Sequence, residues 1–447
     1  MCEMQNGIPI KYEEHEISNQ KLWIMLIGYL TIYGIRELIG FGVPDSLFSL
    51  FCLLAFVILD SEQSFCFYMA TIITTIPFLE VRIVYIFMTL FRMVYQKRNI
   101  RFEKRQFVLI ISMLLLQFID VIIFDKNSFG TMLYNYVNVV TVFIIPLLWS
   151  TLNLSKKHIE AAAKCFMSGC IICAFSLIWQ SIGLYGLSYV IGGSNRLGMD
   201  LNLGRSTMTT SLNTNALAEL MVCVIIICFA LYYERRMKLY TVSILSIFAM
   251  ITILLTQSRG GLLCLTLFLI YFVLFCINGR MALFKKIGVV LAIIAIVVFI
   301  LTKFPDLQSG ILNRINNQSD ISNGRLELNA DCLNAWSKNI YTILFGYGAR
   351  NYMSAASDLK NSAHNMFVDI LASWGITGVT LIIGWIIVLL KKHIGNVERV
   401  NKKIALIPIA MYLISLQDGQ FLNVEIPFLL VSFFLIFGSI FKKELEL

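Results

Sequence analysis

The chain has 447 residues, of which 58% are hydrophobic and only 14% are charged. Soluble domains usually carry about 25% charged residues, so this composition excludes an ordinary soluble protein. The formal net charge of +9 does not indicate nucleic-acid binding, because Lys and Arg of membrane proteins collect on the cytoplasmic side and set the topology.

Apolar runs long enough to cross ~30 Å of hydrocarbon recur along the sequence and predict an all-α, polytopic bundle of about 12–14 transmembrane helices. The run Ile287–Leu301 does not alternate between polar and apolar residues, which argues against a β-barrel. The predicted spans in chain order are Leu22–Gly40, Ser46–Leu59, Ser64–Leu79, Ile83–Tyr95, Phe107–Phe124, Met132–Leu148, Ala161–Tyr185, Asn215–Tyr232, Leu239–Thr256, Gly261–Ile277, Ile287–Leu301, Ala372–Leu390, Ile404–Leu416 and Ile426–Ile440.

The basic loops set the predicted orientation, because positive residues stay in the cytoplasm. These loops are Gln96–Arg105, Ser155–Lys164, Glu234–Lys238, Asn278–Lys286 and Lys391–Lys403. Threading the spans between them puts both termini inside and two large loops, 186–212 and 302–373, outside. Loops longer than about a dozen residues usually have a function, and 302–373 is long enough to carry helices of its own. The active site is therefore expected on the outer face.

The predicted organisation has four parts. Residues 1–21 form a cytoplasmic tail, and residues 22–200 form the N-terminal transmembrane helices. Residues 201–390 form a core that includes the outer loop, and residues 391–447 form C-terminal transmembrane helices and a short cytoplasmic tail.

Arginines on the predicted outer face break the positive-inside tendency. They are Arg196, Arg205, Arg259, Arg314, Arg325 and Arg350. A guanidinium binds phosphate through two parallel hydrogen bonds, although long arginines also anchor at head-group level. Arg259 is the strongest candidate, because it lies between two spans with almost no loop. Gly260 and Gly261 after it allow close helix approach and expose N–H groups at a helix start, which is itself an anion site.

The positions of the four histidines narrow the choice of a catalytic residue. His15, His158 and His393 are predicted to be cytoplasmic, and the last two stand in basic loops where a solvated role suffices. Only His364 faces outward, where the long loop re-enters the membrane. An imidazole there can take a proton from a sugar hydroxyl near neutral pH, while a helix cap or an interfacial position is the alternative.

Other polar residues carry weaker signals. Glu219 and Asp369 lie in or beside apolar segments, where ionisable groups are costly and usually functional. Cys170 and Cys173 form a CxxC inside an apolar run and are predicted to be buried helical thiols, not a metal or redox site. The sequence has no P-loop, GxSxG or HExxH motif, so any transferase here should use a donor already in the membrane.

Several stretches together resemble the O-antigen ligase and polymerase family of bacterial envelope glycosyltransferases. They are Leu203–Leu220, Leu254–Leu265, Ser322–Met353 and Ser362–Ile383, and they occur in the family's order. The combination of SRGG, GR…W…GYG and HN…G carries the resemblance, which covers about 203–383. This chain departs from the family in having Thr-Asn where the family often has Pro-Asn.

The resemblance implies site residues by position. His364, Arg259 and Arg325 would be catalytic. The residues that would bind the diphosphate or the glycan are Arg205, Asn215, Ser258, Gly260, Arg350 and Asn365. Family members resemble metal-independent, inverting transferases, so no metal and no cofactor is expected.

The resemblance implies transfer of a glycan from an undecaprenyl-diphosphate donor to an acceptor hydroxyl, on the outer face of the bacterial inner membrane. We expect polymerisation of lipid-linked repeat units of an O-antigen, capsule or exopolysaccharide, although no residue separates a polymerase from a ligase. A ligase that transfers the glycan to a lipid A core or a protein is the alternative, because both activities share the donor. A flippase is a further alternative, although no internal repeat is visible. A structural scaffold would explain neither the outer arginines nor the long loop. The expected partners are the bilayer, the lipid-linked donor and acceptor, a flippase and chain-length regulator proteins, but no nucleic acid.

Overall fold

Long apolar stretches fold into helices that pack side by side. A computed structural model describes residues 19–72, 78–96, 102–124, 129–187, 190, 197, 214–273, 282–303, 305, 308–309, 325–349, 365–415 and 425–442. All regular secondary structure in these residues is helical. The predicted class, an all-α polytopic bundle, is confirmed.

The helices follow the predicted spans closely, and each predicted span overlaps a helix. The N-terminal half forms α1 (Gln20–Glu37), α2 (Asp45–Ile58), α3 (Ser61–Thr71), α4 (Phe78–Tyr95), α5 (Lys104–Phe124), α6 (Phe129–Trp149) and α7 (Lys156–Tyr185). The C-terminal half forms α8 (Thr214–Tyr233), α9 (Leu239–Thr256), α10 (Arg259–Tyr271), α11 (Ala282–Lys303), α12 (Arg325–Trp336), α13 (Ile340–Phe345), α14 (Met366–His393), α15 (Arg399–Ser415) and α16 (Glu425–Phe437). Because α12 and α13 lie inside the long loop, the prediction that this loop is partly helical is confirmed.

Length and hydropathy identify the helices that can cross a membrane. Within the described residues, six qualify: α5, α6, α7, α8, α9 and α14. Shorter apolar helices add α2, α10 and the segment Pro427–Phe441. The total of about 12–14 spans remains a prediction.

Two helices form the buried centre of the bundle. All residues of α3, polar ones included, are buried, because this helix packs against α1, α4 and α7. α8 is likewise buried along nearly its whole length, between α7, α9, α10 and α15. α8 is apolar on nearly every side, which suits such a central position.

Buried polar pairs tie the N-terminal helices together. The Arg82 Nη2 atom of α4 donates to Asn138 Oδ1 of α6 at 2.8 Å. The Gln180 Nε2 atom of α7 donates to the backbone oxygen of Glu37 at 2.6 Å and to its Oε2 at 3.0 Å. A polar side chain inside an apolar bundle is costly unless such a partner is present, so these pairs fix the register of the helices.

Several loops predicted to share one side of the membrane meet at one end of the bundle. Glu160, at the start of α7, binds Arg236 of the α8–α9 loop at 2.8 Å and Lys164 at 2.7 Å. The Lys392 Nζ atom, at the end of α14, donates to the backbone oxygen of Ser150 at 2.8 Å. The common end agrees with the predicted topology, and the side of the membrane it faces remains a prediction.

The expectation that His158 is solvated is wrong. His158 is only 6% exposed and its Nδ1 atom lies 3.0 Å from Ser155 Oγ, in a capping box at the start of α7. The Cys66 thiol of α3 donates to the His158 backbone oxygen at 3.2 Å, so packing of α3 over this turn removes it from solvent. The Nε2 atom of His393 is buried as well.

Candidate functional site

A tight turn of residues 256–261, called here the SRGG turn, joins α9 to α10. Gln257 adopts the left-handed conformation at φ 49°, which ends α9. Ser258 is fully buried and caps α10, because its hydroxyl accepts the Gly261 amide at 3.3 Å. Arg259 is therefore the first residue of α10, and Arg259 and Gly260 are both partly exposed. The first amides of a helix and a guanidinium beside them favour an anion.

Gly261 brings the SRGG turn against α8. A Cβ atom at this position would lie 2.5 Å from the Ala218 Cβ, so only glycine permits the observed approach. The adjacent Glu219 and, one turn earlier, Asn215 are both buried. The fold thus assembles four of the predicted residues around one junction of α8 with α10: Asn215, Ser258, Arg259 and Gly260.

The second predicted segment lies at the start of α14. Asn365 caps this helix, and its Oδ1 atom accepts the amides of Phe367 at 3.0 Å and Val368 at 3.4 Å. Asp369, in the first turn, is buried. Asn365 therefore has a structural role as a helix cap, whereas the sequence analysis predicted that it binds substrate.

α14 is not continuous. Gly375 has φ 60° and ψ −164°, which interrupts the helix and divides it into a first half, residues 366–374, and a longer second half. Around Gly375, residues 372–375 are called here the helix break. The helix also begins inside the predicted outer loop, because its first eight residues, 366–373, were left in that loop by the sequence analysis.

The long loop that was predicted to be outside docks into the helix break through residues 346–349, called here the docking loop. The Tyr347 amide donates to the Ala372 oxygen at 3.0 Å, and the Gly348 amide donates to the Ser373 oxygen at 2.7 Å. The interrupted helix leaves these carbonyls without their usual partners, and the loop supplies replacements. The docking loop and the helix break therefore form one rigid unit.

Two buried polar residues of α5 hold this unit, and the sequence analysis missed both. The Gln117 Oε1 atom accepts the Ala349 amide at 2.9 Å and the Trp374 indole N–H at 2.7 Å. One turn further on, Asp120 Oδ1 accepts the Tyr341 hydroxyl at 3.0 Å. The available signal was a pair of polar residues three positions apart inside the apolar run of α5, where such residues usually serve a purpose.

Two titratable groups of the loop stay protonated near neutral pH. Burial, and then the negative charge of Asp120, raises the pKa of Tyr341 to about 12, so its hydroxyl remains a donor. Burial, with smaller effects of Asp369 and Asp331, raises the pKa of Cys332 to about 12. Since the thiolate is the nucleophilic form, Cys332 is unsuited to nucleophilic catalysis.

An apolar cavity of about 310 Å³ opens immediately inside Asn365, between α6, α14 and α16. Its volume is at the lower end of the range of ligand pockets. Both halves of α14 line one wall, the first half with five residues and the second half with four, and residues of α6 and α16 close the opposite side. The lining residues used below are Met366, Phe367, Ile370, Leu371, Trp374, Phe143 and Phe428.

Other predicted residues are only partly described. The backbone of Arg325 begins α12, but its side chain lies outside the described part. His364, Arg205, Arg350, Arg196 and Arg314 lie outside the described residues. The meeting of Arg259 with His364 therefore remains a prediction. The prediction for Cys170 and Cys173 is confirmed, because both are free, fully buried thiols of α7.

Part of the chain is similar to a known protein family. Residues 244–383 match a family model described as O-Antigen ligase. The matched segment runs from α9 through the SRGG turn and the docking loop into the second half of α14, and it leaves out Arg205 and Asn215. No curated protein matches the chain.

Proposed function

We propose that the chain polymerises lipid-linked glycan repeat units on the extracytoplasmic face of the bacterial inner membrane. The match of residues 244–383 to the O-Antigen ligase family and the six helices long and apolar enough to cross a membrane support this proposal. The donor is an oligosaccharide on undecaprenyl diphosphate, and the acceptor is a hydroxyl of a second lipid-linked unit.

The apolar cavity inside Asn365 is the observation that carries the choice of donor. A soluble sugar nucleotide would need polar groups along its binding surface, whereas the cavity wall is almost wholly apolar and aromatic. At about 310 Å³ it accommodates the first isoprene units next to the diphosphate, while the remaining chain lies in lipid. Asn365, which caps α14, directly precedes Met366, the first lining residue on that helix.

The proposed chemistry is a single inverting displacement without a metal ion. His364 takes the proton of the acceptor hydroxyl, whose oxygen attacks C1 of the donor sugar from the face opposite the phosphate. The bond between C1 and the phosphate oxygen breaks, and its electron pair leaves with the diphosphate. Arg259, Arg205 and Arg325 stabilise the charge that develops on this leaving group. The remaining predicted residues hold the substrate: Asn215, Ser258, Gly260, Arg350 and Asn365.

A ligase is the second candidate, and the family match supports it and the polymerase alike. The same donor site would serve, and only the acceptor would differ: a lipid A core or a protein. A flippase is less well supported. Transporters use broken helices to bind their cargo, but the freed carbonyls of Ala372 and Ser373 are already occupied by the docking loop.

A transfer assay in detergent tests the proposal. Purified full-length protein is given lipid-linked oligosaccharide that was extracted from cells lacking the gene. Longer lipid-linked glycan should appear without added metal and in the presence of a chelator. Transfer in detergent excludes a transporter, because no sealed compartment is present. Absence of any longer product with the extracted donor would contradict a polymerase.

A gel of envelope glycans from the deletion strain separates the two enzymes. A single repeat attached to the core or anchor indicates that a polymerase was lost. Bare core together with accumulated lipid-linked polymer indicates that a ligase was lost.

A further inference from the structure

Gln117 joins two segments that are far from it in sequence. Its Oε1 atom accepts one hydrogen bond from Ala349 in the docking loop and one from the Trp374 indole at the helix break. The residue is fully buried in α5, outside the segment that matches the family. A single oxygen atom thus ties α5, the outer loop and α14 together.

The two partners of Gln117 bear directly on the apolar cavity. Trp374 is the last residue of the first half of α14, which provides five of the nine α14 residues that line the cavity. Its ring also packs against Phe143 of the opposite wall, with centroids 5.7 Å apart. The hydrogen bond that the Trp374 indole donates to Gln117 therefore anchors this part of the cavity wall.

Asp120 adds a second attachment on the same face of α5. Its Oδ1 atom accepts the Tyr341 hydroxyl, and the Tyr341 ring packs against Phe124 at 5.6 Å between centroids. Tyr341 belongs to α13, which leads directly into the docking loop. The loop is thus held at two points one helical turn apart.

We propose that Gln117 is a positioning residue for glycan transfer, which fixes the first half of α14 and the docking loop so that the cavity fits the lipid-linked donor. This inference rests on the proposed function. Gln117 need not touch the substrate; it acts through Trp374 and Ala349. Catalytic and binding geometry is sensitive to such placement, because a displacement of about 1 Å far from the chemistry can cost about 100-fold in rate.

Only the side-chain oxygen of Gln117 forms hydrogen bonds in the described structure, so a matched set of variants can test it. Its Nε2 atom has no hydrogen-bond partner within the described structure. Gln117→Glu keeps an acceptor oxygen in either protonation state, whereas Gln117→Leu removes it and leaves two buried N–H groups without an acceptor. Gln106→Leu is the control, because Gln106 is equally buried in α5 but neither of its side-chain polar atoms is bonded in the described structure.

The test measures transfer kinetics with lipid-linked oligosaccharide extracted from deletion-strain membranes, for full-length protein in detergent. Gln117→Leu should raise the KM for the donor about tenfold and lower kcat/KM about 100-fold. Gln117→Glu should restore both to within a few-fold, and Gln106→Leu should match the wild type. A purely structural role would lower the amount of active protein and leave KM unchanged.

Trp374→Phe is a second variant for the case in which Gln117→Leu folds poorly, and where both variants fold, a double-mutant cycle tests whether Gln117 acts through Trp374. Trp374→Phe keeps the aromatic ring but removes the indole N–H that Gln117 accepts. If Gln117 acts through Trp374, the two substitutions together should cost little more than the larger of the two alone. Fully additive losses overturn the inference.

Hydrogen exchange at Ala349 gives a readout that does not depend on activity. Its amide should exchange faster in Gln117→Leu than in Gln117→Glu or Gln106→Leu, because its acceptor is lost. If the wild type transfers glycan but Gln117→Leu has an unchanged KM for the donor, the positioning role is wrong and the proposed function stands. Wild-type protein that transfers no glycan overturns the proposed function and this inference with it.

Discussion

Gly346 of the docking loop lies against the backbone just before Gly375 of the helix break, and Gly375 lies against the backbone just before Gly346. A Cβ atom on Gly346 would lie 2.5 Å from the Ser373 carbonyl and the Trp374 nitrogen. A Cβ atom on Gly375 would lie 2.5 Å from the Leu344 oxygen and the Phe345 nitrogen. Both residues also have positive φ, so neither position has room or conformational freedom for another residue.

We therefore expect Gly346→Ala and Gly375→Ala each to destabilise the protein by about 2–5 kcal/mol, from strain and overpacking together. Thermal unfolding in detergent measures the loss. Gly183→Ala is the control, since nothing lies within 4 Å of a Cβ there. Equal stability of Gly375→Ala and Gly183→Ala would contradict the close packing of loop and helix.

The contact between Gly261 and Ala218 makes a reciprocal prediction. Gly261→Ala forces α10 away from α8, so we expect lower stability and lower transfer activity. Exchanging the pair, with Ala218→Gly added to Gly261→Ala, removes the clash and should restore most of both. The double variant is compared with the single ones by thermal unfolding and by the transfer assay, and a double variant no better than Gly261→Ala would contradict the prediction.

Arg259→Ala should lower the transfer rate about 10²–10³-fold, because it removes a fixed cation from the departing diphosphate. Arg259→Lys should give an intermediate rate, since it keeps the charge but loses the two parallel hydrogen bonds. The amount of folded protein is expected to stay normal, and Arg105→Ala, an exposed arginine of α5, serves as the control. Normal glycan length and amount in Arg259→Ala would remove this residue from the mechanism.

The two roles of Asn365 can be separated with one pair of variants. Asn365→Asp keeps an oxygen that caps α14, whereas Asn365→Ala loses it at a cost of about 1 kcal/mol. If the residue only caps the helix, the Asp variant should retain activity. If its amide also contacts the substrate, as the resemblance implies, both variants should lose activity while only Ala loses stability. Activity and thermal unfolding are measured on the same samples.

Filling the apolar cavity should weaken donor binding. Ile370 lines the cavity and is partly buried, so Ile370→Trp introduces a large side chain where we place the lipid tail. We expect the KM for the lipid-linked donor to rise about tenfold or more, because the first isoprene units lose their site. Ile294→Trp, on an exposed face of α11, is the matched control. An unchanged KM in Ile370→Trp would place the tail elsewhere.

The sequence predicts the helices well, because the apolar run length that lipid demands is a local property. The sequence also predicts the SRGG turn, because two glycines between closely spaced apolar runs indicate a close approach of helices, which the structure shows at Gly261. The helix break is different. Residues 372–375 look like continuous transmembrane helix, and the interruption depends on partners contributed by a loop about 25 residues earlier. Gln117 was missed for the same reason, since its importance arises from contacts 232 and 257 residues away.

The interrupted helix α14 also constrains how the protein is made. Two backbone carbonyls exposed to lipid would each cost several kcal/mol, so the first half of α14 is stable in the bilayer only after residues 346–349 have reached it. The docking loop precedes α14 in the chain and leaves the ribosome first. Completion of α14 therefore depends on the docking loop and is not a property of the α14 sequence alone.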